Sequence, residues 1–401
     1  MPELRIAIIG AGIGGLSLGI ALHRNGLAPQ VYEQAAQLAE IGAAVALSAN
    51  ATRELERFGC MSALEEVSTE PSELIYRSWG DGRRIADFPV RAGRAYREKF
   101  RAPYFGLHRA DLQRILSGTH GLEGLNLGFR LTDLEETGEG VRLTFANGHV
   151  AHADVVIGAD GVRSLVRKFV AGADAAHYSG TSAFRGIVPI ENLPSLPDPE
   201  AIQFWMGPDA HLLHYAIGGE RKAVNFFAVV EGPQQWRRGD RWLDDIEPGV
   251  ALRAFKGWHP AVTEMIGAVE QKIRWGLFIV KPLRRWSRGR AVLLGDAAHG
   301  MLPHHGQGAN TSIEDAITLA ELLPHTAPGE LNAMMARYEM LRRLRTRIIQ
   351  RAAWAANRAL HLPDGAGLAA RDAMVARFAK RFGWIHAFDA RAAVGEVPVA
   401  E

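Results

Sequence analysis

The first 33 residues contain two short apolar runs separated by a stretch of helical spacing. Residues 4–9 are an apolar run rich in isoleucine, which predicts a strand. In residues 13–25 apolar positions recur at helical spacing before Gly26, a typical helix stop. Residues 28–32 predict a second strand, which ends at Glu33. Because a β-α-β unit needs about 30 residues, the chain opens with a complete one.

The middle of the chain has another pattern. Residues 154–157 are a compact apolar run, and shorter strand-like runs broken by proline and glycine follow between about 181 and 283. Those at 201–206, 211–217 and 224–230 predict the strands of an antiparallel sheet. We expect this sheet to form a second unit that covers the substrate.

The last third of the chain predicts a buried strand at 291–294, a loop through Asn310 and a helix from about Ser312. Glu314 and Asp315 would then lie in the first helical turn, where the helix dipole favours anions. Residues 331–360 are helical in pattern and rich in arginine, at 337, 342, 343, 345 and 347. We expect these arginines to form a solvated face or the edge of a dimer.

Composition limits the class of protein. The 401 residues, of which 47% are hydrophobic and 22% charged, are typical of a soluble globular protein. The net charge of +2, without a basic block, argues against nucleic-acid binding. The single cysteine, Cys60, fits a reducing compartment. Without a signal sequence or an apolar window of about 18 residues, we expect a cytoplasmic protein with no membrane span.

A glycine loop follows the first strand and begins the first helix. Gly10, Gly12 and Gly15 fit the pattern GxGxxG, with Ile13 and Gly14 inside it. The first glycine permits a tight turn, the second lets a pyrophosphate approach the backbone and the third lets helix and strand pack closely. Glu33 lies 18 residues after Gly15, where a carboxylate can accept hydrogen bonds from ribose hydroxyls. This context predicts a dinucleotide site but leaves FAD and NAD open.

Two further segments carry a resemblance to a known family. The segments Gly158-Ala159-Asp160-Gly161 and Gly295-Asp296-Ala297-Ala298-His299 look like the second and third flavin fingerprints of the class A flavoprotein monooxygenases. Their order along the chain fits, and the similarity runs from residue 4 to about 345. It includes Arg109 in a segment similar to the helix start that this family places near the FAD phosphates. The resemblance implies that Asp160 and Asp296 bind FAD.

The most specific segment lies between residues 302 and 310. It resembles the loop that this family places against the isoalloxazine ring, and it contributes these residues: Pro303, His304, His305, Gly306, Gln307, Gly308, Ala309 and Asn310. Glycines let the backbone approach a flat ring, and amides at the following helix start can stabilise negative charge on reduced flavin. We expect residues 306–310 to bind FAD and Pro303 and His305 to contact the substrate.

The resemblance implies both architecture and chemistry. We expect an α/β protein with a Rossmann-like FAD-binding domain (residues 1–75, 100–180 and 284–345), an interleaved, mainly antiparallel substrate sheet (76–99 and 181–283) and a C-terminal helical segment (346–401). Non-covalently bound FAD, reduced by NADH or NADPH, would react with O₂ to a C4a-hydroperoxide that hydroxylates a phenolic substrate, with or without loss of a carboxylate.

Residues 211–217 suggest the catalytic side chains. On a strand, His211, Leu213 and Tyr215 share one face while His214 points the other way. In the branch that resembles 6-hydroxynicotinate 3-monooxygenase and the salicylate and 3-hydroxybenzoate hydroxylases, this strand faces the substrate. The resemblance implies that His211, Tyr215 and His304 remove the phenolic proton, with Leu213 at the substrate. Ala46 and His305 depart from the pattern of that branch.

Other functions fit parts of the sequence. An NAD-dependent dehydrogenase with one Rossmann unit explains the first 33 residues but leaves residues 303–310 without a task. A flavin-bound regulatory protein without turnover, and a tailoring monooxygenase or epoxidase for a larger substrate, are further alternatives. The histidines at 299, 304 and 305 match no zinc spacing, so we expect no metal. The expected partners are an aromatic substrate and O₂, and a homodimer is left open.

Overall fold

The structure is a computed structural model of the chain and describes residues 4–38, 44–121, 123–172, 176–219, 222–236 and 242–396. Within them the strands are β1 (Ile6–Ile9), β2 (Gln30–Glu33), β3 (Ala44–Leu47), β4 (Glu73–Ser78), β5 (Arg84–Pro89), β6 (Phe105–His108), β7 (Leu125–Leu127), β8 (Leu131–Thr137), β9 (Gly140–Phe145), β10 (Val150–Ala153), β11 (Val155–Gly158), β12 (Ala176–Pro189), β13 (Ile202–Gly207), β14 (Ala210–Ile217), β15 (Ala223–Glu231), β16 (Leu243–Asp245), β17 (Ile273–Val280), β18 (Ser287–Arg288) and β19 (Ala291–Leu293).

The α-helices in the same residues are α1 (Ile13–Arg24), α2 (Ala49–Arg57), α3 (Met61–Val67), α4 (Ala95–Phe100), α5 (Arg109–His120), α6 (Leu165–Ala171), α7 (Val250–Ala254), α8 (Pro260–Gly267), α9 (Asp296–His299), α10 (Gly308–Leu322), α11 (Leu331–Leu360), α12 (Leu368–Val375), α13 (Phe378–Ala387) and α14 (Ala390–Glu396). None of them combines the length and the hydropathy that a transmembrane span requires.

A six-stranded sheet in the order β18-β19-β11-β1-β2-β7 carries the first β-α-β unit. Its pairs are parallel except the edge pair β18-β19. Strand β1 is buried along its whole length, as its continuous apolar sequence predicts for a parallel strand covered on both faces. Helices α1 and α10 pack together beside it, so the Rossmann-like prediction is confirmed.

An eight-stranded sheet in the order β16-β17-β12-β15-β14-β13-β4-β5 forms the second layer. Its pairs are antiparallel except β13-β4, so the prediction of a mainly antiparallel sheet is confirmed. On one face Leu212 packs in a cluster with α7 and α8, and on the other Leu213 and Tyr215 pack against residues of α11, α12 and α13. Both faces of β14 are therefore buried, and its alternate side chains enter different environments.

The segments assigned to each domain interleave along the chain. Strands β4 and β5 join the eight-stranded sheet although their neighbours in sequence belong to the Rossmann-like part. The sheet strands begin at Glu73 and at Ala176, a few residues before the expected starts at 76 and 181. A small antiparallel sheet β10-β9-β8 and the pair β3-β6 complete the strands. The domain boundaries themselves stay a prediction.

The start of α10 differs from the sequence prediction. The helix begins at Gly308 and not near Ser312, because Gly306 takes a left-handed conformation (φ 62°) that turns the chain before Gln307 caps the helix. Glu314 and Asp315 consequently lie in its second turn, fully buried. The expected interaction with the helix dipole is therefore wrong.

Of the five arginines expected on a solvated face of α11, two differ from expectation, whereas Arg343 and Arg347 are exposed. Arg342 and Arg345 do not form a solvated face, since they are 0% and 8% exposed and form ion pairs with Glu314, at 2.5 Å and 2.7 Å. Arg342 also pairs with Asp315 at 2.7 Å. Burial alone would raise the pKa of Glu314, but the two arginines hold it below the ordinary value. These ion pairs fix α11 against α10.

Candidate active site

The glycine loop between β1 and α1 leaves space where a pyrophosphate would lie. A side chain at Gly15 would place its Cβ 1.9 Å from the Gly10 carbonyl oxygen, and one at Gly10 would stand 2.5 Å from the Ala159 carbonyl oxygen. At Gly12, in contrast, an added Cβ meets no atom within 4 Å. The tight contacts fix the loop, and the open side at Gly12 faces the helix start, where backbone amides favour phosphate.

Two members of the motif serve packing. A Cβ at Gly14 would lie 2.5 Å from Leu294 Cδ2, so this glycine lets α1 approach the end of β19 and α10. Ile13 is 4% exposed and its side chain belongs to the core of the Rossmann-like part. Contacts of these two residues with a cofactor, which stay a prediction, would use the backbone alone.

Glu33 ends β2 beside the glycine loop. Its carboxylate accepts hydrogen bonds from the backbone amide of Ala11 at 2.8 Å and from that of Ala35 at 2.9 Å, one on each oxygen. Each carboxylate oxygen has a second lone pair, which a ribose hydroxyl can use. The placement therefore fits the predicted ribose contact.

Asp160 and Asp296 occupy different environments. Asp160 Oδ2 accepts hydrogen bonds from the amides of Leu165 and Val166 and so caps α6, while its Oδ1 is buried without a partner among the described residues. Burial raises the pKa of Asp160. Asp296 is exposed in the first turn of α9, and its Oδ1 lies next to Gly308 at the start of α10. Asp296 is thus free to receive a polar group.

Asp315 of α10 holds the turn that carries Asp296 in place. Asp315 Oδ2 accepts hydrogen bonds from the Gly295 amide at 3.0 Å and lies 2.6 Å from His299 Nε2. The buried carboxylate of α10 therefore fixes both the start and the end of α9. Through Arg342, the same carboxylate is connected to α11.

The loop before α10 uses its long polar side chains within the protein. Gln307 bonds Ser48 and Asn50, at 3.0 Å and 3.1 Å. Asn310 accepts from the Ser48 amide and donates to the Ala46 and Gly306 carbonyls. These bonds clamp the loop onto the segment that joins β3 to α2. Flavin contacts from Gln307 and Asn310 would therefore come from the backbone, as they would at Gly306, Gly308 and Ala309.

Together these residues fit an FAD molecule. The open backbone at Gly12 suits its pyrophosphate, Glu33 its adenosine ribose, Asp296 its ribityl chain, and the start of α10 its isoalloxazine ring. Arg109 begins α5, whose Gln113 contacts the Ala11 carbonyl at 3.4 Å. The Arg109 guanidinium lies near enough to Arg185 to lower the pKa of Arg185. The individual contacts stay predictions.

His211 and Tyr215 lie on the predicted face of β14. His211 is 1% exposed and Tyr215 6%, and both belong with Leu213 to the side that faces the loop before α10 and the C-terminal helices. His214 lies on the opposite face beside Arg77, and burial lowers its pKa to about 3. The alternation predicted for this strand is confirmed.

The three expected catalytic side chains do not form one cluster. The rings of His211 and His304 are in contact, with centroids 4.9 Å apart. Tyr215 packs against Gly106 of β6 instead, where an added Cβ would lie 2.8 Å from its ring. Four residues of strand span about 13 Å, so His211 and Tyr215 mark opposite ends of the face, with Leu213 between them.

The histidines of this region are neutral. Burial lowers the pKa of His211 and of His304 well below the ordinary value, and the neighbouring imidazoles add to the effect. The side chain of Asn357 in α11 acts on His304 in the opposite direction, but the net pKa stays low. His305 stacks on Phe382 of α13 at 4.5 Å, and burial lowers its pKa to about 4. A neutral imidazole can accept a proton at neutral pH.

Two residues at this face were not anticipated from the sequence. His361 follows α11, and its Nε2 lies 2.6 Å from His211 Nδ1. Arg185 of β12 stacks between Phe227 and Trp275, at 4.7 Å and 4.6 Å from the ring centroids. The available signal for Arg185 was a cation within residues 183–188, which are otherwise apolar. For His361 there was none, because the contact depends on how α11 ends against β14.

Within the described ranges no group of three or more His, Cys, Asp or Glu side chains is placed to hold a metal ion. The histidines at 299, 304 and 305 are separated, with His299 bound to Asp315 and His304 against His211.

The fold and the arrangement of these residues are those of a flavoprotein with an antiparallel sheet beside its Rossmann-like part. Residues 3–353 match the FAD binding domain family, and the chain belongs to that family. It is 39% identical over 388 residues to a 3-amino-4-hydroxybenzoate 2-monooxygenase of Streptomyces platensis, covering 96% of both chains. It is 35% identical over 348 residues to the 6-hydroxynicotinate 3-monooxygenase of Bordetella bronchiseptica, covering 86% of this chain and 90% of the relative.

A solved structure gives the same answer. A salicylate hydroxylase in complex with its substrate superposes with a TM-score of 0.86 and 26% identity, covering 100% of this chain and 99% of the other. The class A monooxygenase prediction is therefore confirmed. The protein is an FAD-dependent aromatic hydroxylase that uses a reduced nicotinamide, and the dehydrogenase and non-catalytic alternatives are set aside.

Proposed function

We propose that this enzyme hydroxylates a phenol that also carries a carboxylate, and that Arg185 binds the carboxylate. The observation that supports the proposal is an arginine without an anionic partner, on the sheet face that carries His211 and Tyr215. No ion pair or hydrogen bond joins its guanidinium to another described residue, and its Nε is buried.

The environment of Arg185 is unfavourable for a lone cation. Burial, and then the neighbouring Arg109, lower its pKa to about 10. An unpaired buried charge is costly, and the aromatic rings on either side recover only part of the lost hydration. A ligand carboxylate would supply the missing counter-charge, in the bidentate geometry that guanidinium favours.

The sheet register sets the distances. Arg185 is opposite Phe227, and Phe227 is opposite Leu213, so these three residues form one row across β12, β15 and β14. Two strand spacings separate Arg185 from Leu213, which is about 10 Å. A benzoate ring above Phe227 and Leu213 would direct its carboxylate to Arg185 and its hydroxyl toward the histidines. The residues Leu213, Pro303 and His305 remain proposed substrate contacts.

The names of the relatives agree with such a ligand. The aminohydroxybenzoate, hydroxynicotinate and salicylate enzymes act on aromatic rings that carry both a hydroxyl and a carboxylate. The first compound to test is 3-amino-4-hydroxybenzoate, because the relative named for it covers 96% of this chain.

The protein residues have separate tasks in this reaction. FAD, once reduced, supplies the activated oxygen that is inserted into the ring. His211, neutral and next to His304, removes the phenolic proton and so makes the ring more nucleophilic. Burial raises the pKa of Tyr215 far above neutrality, so its hydroxyl stays protonated and donates to the ligand. The apolar and aromatic side chains around Leu213 and Phe227 exclude water.

The test compares two ligands and two enzymes. With 3-amino-4-hydroxybenzoate, Arg185→Gln should raise KM about 10- to 100-fold, because a hydrogen bond to a charged group contributes about 1.5–3 kcal/mol. With 2-aminophenol, which lacks the carboxylate, the substitution should change KM little. Arg185→Lys should recover part of the loss, and Arg142→Gln, at an exposed position, is the control.

Equal effects on both ligands would refute a carboxylate contact. NADH consumption and O₂ uptake that no phenolic acid accelerates would refute the proposed substrate class. The mass of the product shows whether the carboxylate is retained or lost.

We further propose a cytoplasmic homodimer. Met340, Leu344 and Ile348 are 59%, 68% and 43% exposed and share one face of α11, which supports a second copy as its partner. Sedimentation of Leu344→Glu beside the unmodified protein tests this, since a charge at the centre of that face should yield monomers.

A further inference from the structure

A chain of close polar contacts leads from His211 to the protein surface. His211 Nδ1 lies 2.6 Å from His361 Nε2, and His361 Nδ1 lies 2.5 Å from Glu231 Oε1. His211 is 1% exposed and the His361 side chain 4%, whereas the Glu231 side chain is 44% exposed. The contacts therefore connect the buried face of β14 with solvent at the end of β15.

We infer that His361 and Glu231 orient His211 as a base and carry the substrate proton to solvent. The inference rests on the proposed function, in which His211 deprotonates a phenol. It assigns to both residues a positioning and proton-conducting role that acts through His211, without contact to the substrate.

The carboxylate determines the direction of one hydrogen bond, and the relay requires a matching direction for the other. The hydrogen bond from His361 lowers the pKa of Glu231, and burial raises it. The net effect is a lowered pKa. An ionised carboxylate only accepts, so His361 Nδ1 must donate to it. In the relay that we infer, His361 carries only this proton, and the lone pair on its Nε2 accepts from His211 Nδ1–H. The proton of His211 is thus fixed on Nδ1, and its Nε2 is left as the basic atom.

The proton transfer balances along this chain. The phenolic O–H bond breaks and a new N–H bond forms at His211 Nε2. The Nδ1 proton of His211 passes to His361 Nε2, and the Nδ1 proton of His361 passes to the Glu231 carboxylate. Glu231 then releases a proton to water. One proton leaves the substrate and one enters solvent, and no group is oxidised or reduced.

The groups around the chain favour this route over alternatives. His304 contacts His211 from the loop before α10, and its only hydrogen-bond link toward Glu231 among the described residues is the side chain of Asn357, an amide that does not take up a proton as an imidazole does. Glu231 faces Tyr178 of β12 and accepts a second bond from Asn357 of α11, at 3.3 Å. Asp209 is an acidic residue near Glu231 that takes no part in these contacts. Its backbone carbonyl accepts a hydrogen bond from the Glu231 amide.

The tautomer can be measured without any substrate. In holoenzyme labelled with ¹⁵N-histidine, long-range ¹H–¹⁵N spectra should show His211 protonated on Nδ1 and unprotonated on Nε2, with the signals assigned from the His211→Gln and His361→Gln spectra. In Glu231→Gln the His361 signals should change tautomer or lose their hydrogen-bonded proton. A His211 protonated on Nε2 in the unmodified protein would overturn the inference.

Kinetics test the transport of the proton. In Glu231→Gln and His361→Gln, hydroxylation at neutral pH should fall roughly tenfold, near the lower end of general base effects, with FAD content and substrate Kd retained. The rate should rise again with added imidazole, which can replace the lost carrier, and its pH profile should shift. Asp209→Asn removes a neighbouring charge that is not part of the relay. This variant should keep the rate and the pH profile of the unmodified enzyme.

The outcomes separate this inference from the proposed function. If no phenol is hydroxylated but His211 has the expected tautomer, the substrate proposal fails and the orientation of His211 stands. If phenols are hydroxylated while Glu231→Gln and His361→Gln keep an unchanged rate, pH profile and solvent isotope effect, the relay is refuted. A loss of rate that imidazole does not restore, with an unshifted pH profile, would show that the two residues only support the fold.

Discussion

Arg342 Nε lies 2.7 Å from Asp315 Oδ1, and neither side chain is exposed. This ion pair joins α11 to α10, the helix whose start belongs to the predicted flavin site. Asp315 also holds the Gly295 amide, so the turn that carries Asp296 depends on the same carboxylate. Packing of the C-terminal helix and the shape of the cofactor groove are therefore coupled through buried charges.

Replacing Arg342 with methionine should reduce both stability and FAD retention. The substitution leaves Asp315 and Glu314 without one of their counter-charges, and breaking a buried pair costs about 3–5 kcal/mol. Urea unfolding, with the flavin-to-protein absorbance ratio after gel filtration, measures the two effects. The adjacent Arg343→Met is the matched control, since the Arg343 side chain is 45% exposed and its pair with Glu339 should contribute about 1 kcal/mol or less. Equal losses in both variants would contradict the coupling.

Gly15→Ala should abolish FAD binding. The new methyl group would stand 1.9 Å from the Gly10 carbonyl oxygen, so the glycine loop must move to admit it. The absorbance ratio of the purified protein, with and without added FAD, measures the loss. Gly118→Ala is the control, because a Cβ there meets no atom within 4 Å and alanine stabilises a helix by about 1 kcal/mol relative to glycine. Normal flavin content in Gly15→Ala would show that the loop adapts.

The sequence predicted much of this architecture because local patterns determined it. Apolar runs marked β1 and β19, and the face shared by His211, Leu213 and Tyr215 follows from strand periodicity alone. Gly10 predicted a tight turn, and Gly15 a close approach of helix and strand, before any fold was known. Where one element determines the geometry, its own residues were sufficient.

Contacts between distant elements were not predictable in this way. Arg342 has the local pattern of an exposed helix arginine, and only the packing of α11 on α10 brings Glu314 and Asp315 to it. His361 meets His211 because α11 ends beside β14, across a separation of 150 residues. Arg185 is placed opposite Phe227 by strand pairing, which a single sequence does not determine. The site is thus assembled partly from tertiary packing.

Acid should destabilise the protein partly through His214. Burial holds its pKa at about 3, against about 6.5 in the unfolded chain. Between these pH values the unfolded chain binds a proton that the folded protein does not, so the free energy of unfolding falls as the pH is lowered below about 6.5. One such group contributes a slope of about 1.4 kcal/mol per pH unit.

His214→Leu should remove that contribution. Urea unfolding at pH 6 and pH 5 should show that the variant loses about 1.4 kcal/mol less than the unmodified protein over this interval. The other buried histidines affect both proteins equally and cancel in the difference. The exposed His325→Gln is the control, with an expected slope like that of the unmodified protein. An unchanged slope in His214→Leu would mean that the folded protein admits a proton at this position.

His211→Asn and Tyr215→Phe should affect different steps, because the two residues lie at opposite ends of the β14 face. Loss of the base at His211 should lower the hydroxylation rate about 10²- to 10⁴-fold, with FAD retained and substrate Kd little changed. The Tyr215 hydroxyl stays protonated in the unmodified enzyme, so its loss removes a hydrogen-bond donor beside Arg185. This loss should weaken substrate binding about tenfold, near the net contribution of about 1 kcal/mol for one hydrogen bond.

Stopped-flow measurement of flavin reoxidation with O₂, alongside substrate titration, separates rate from affinity. If Tyr215→Phe instead lowers the rate as strongly as His211→Asn and leaves affinity intact, then Tyr215 takes part in proton removal, and the division of this face into two ends is wrong.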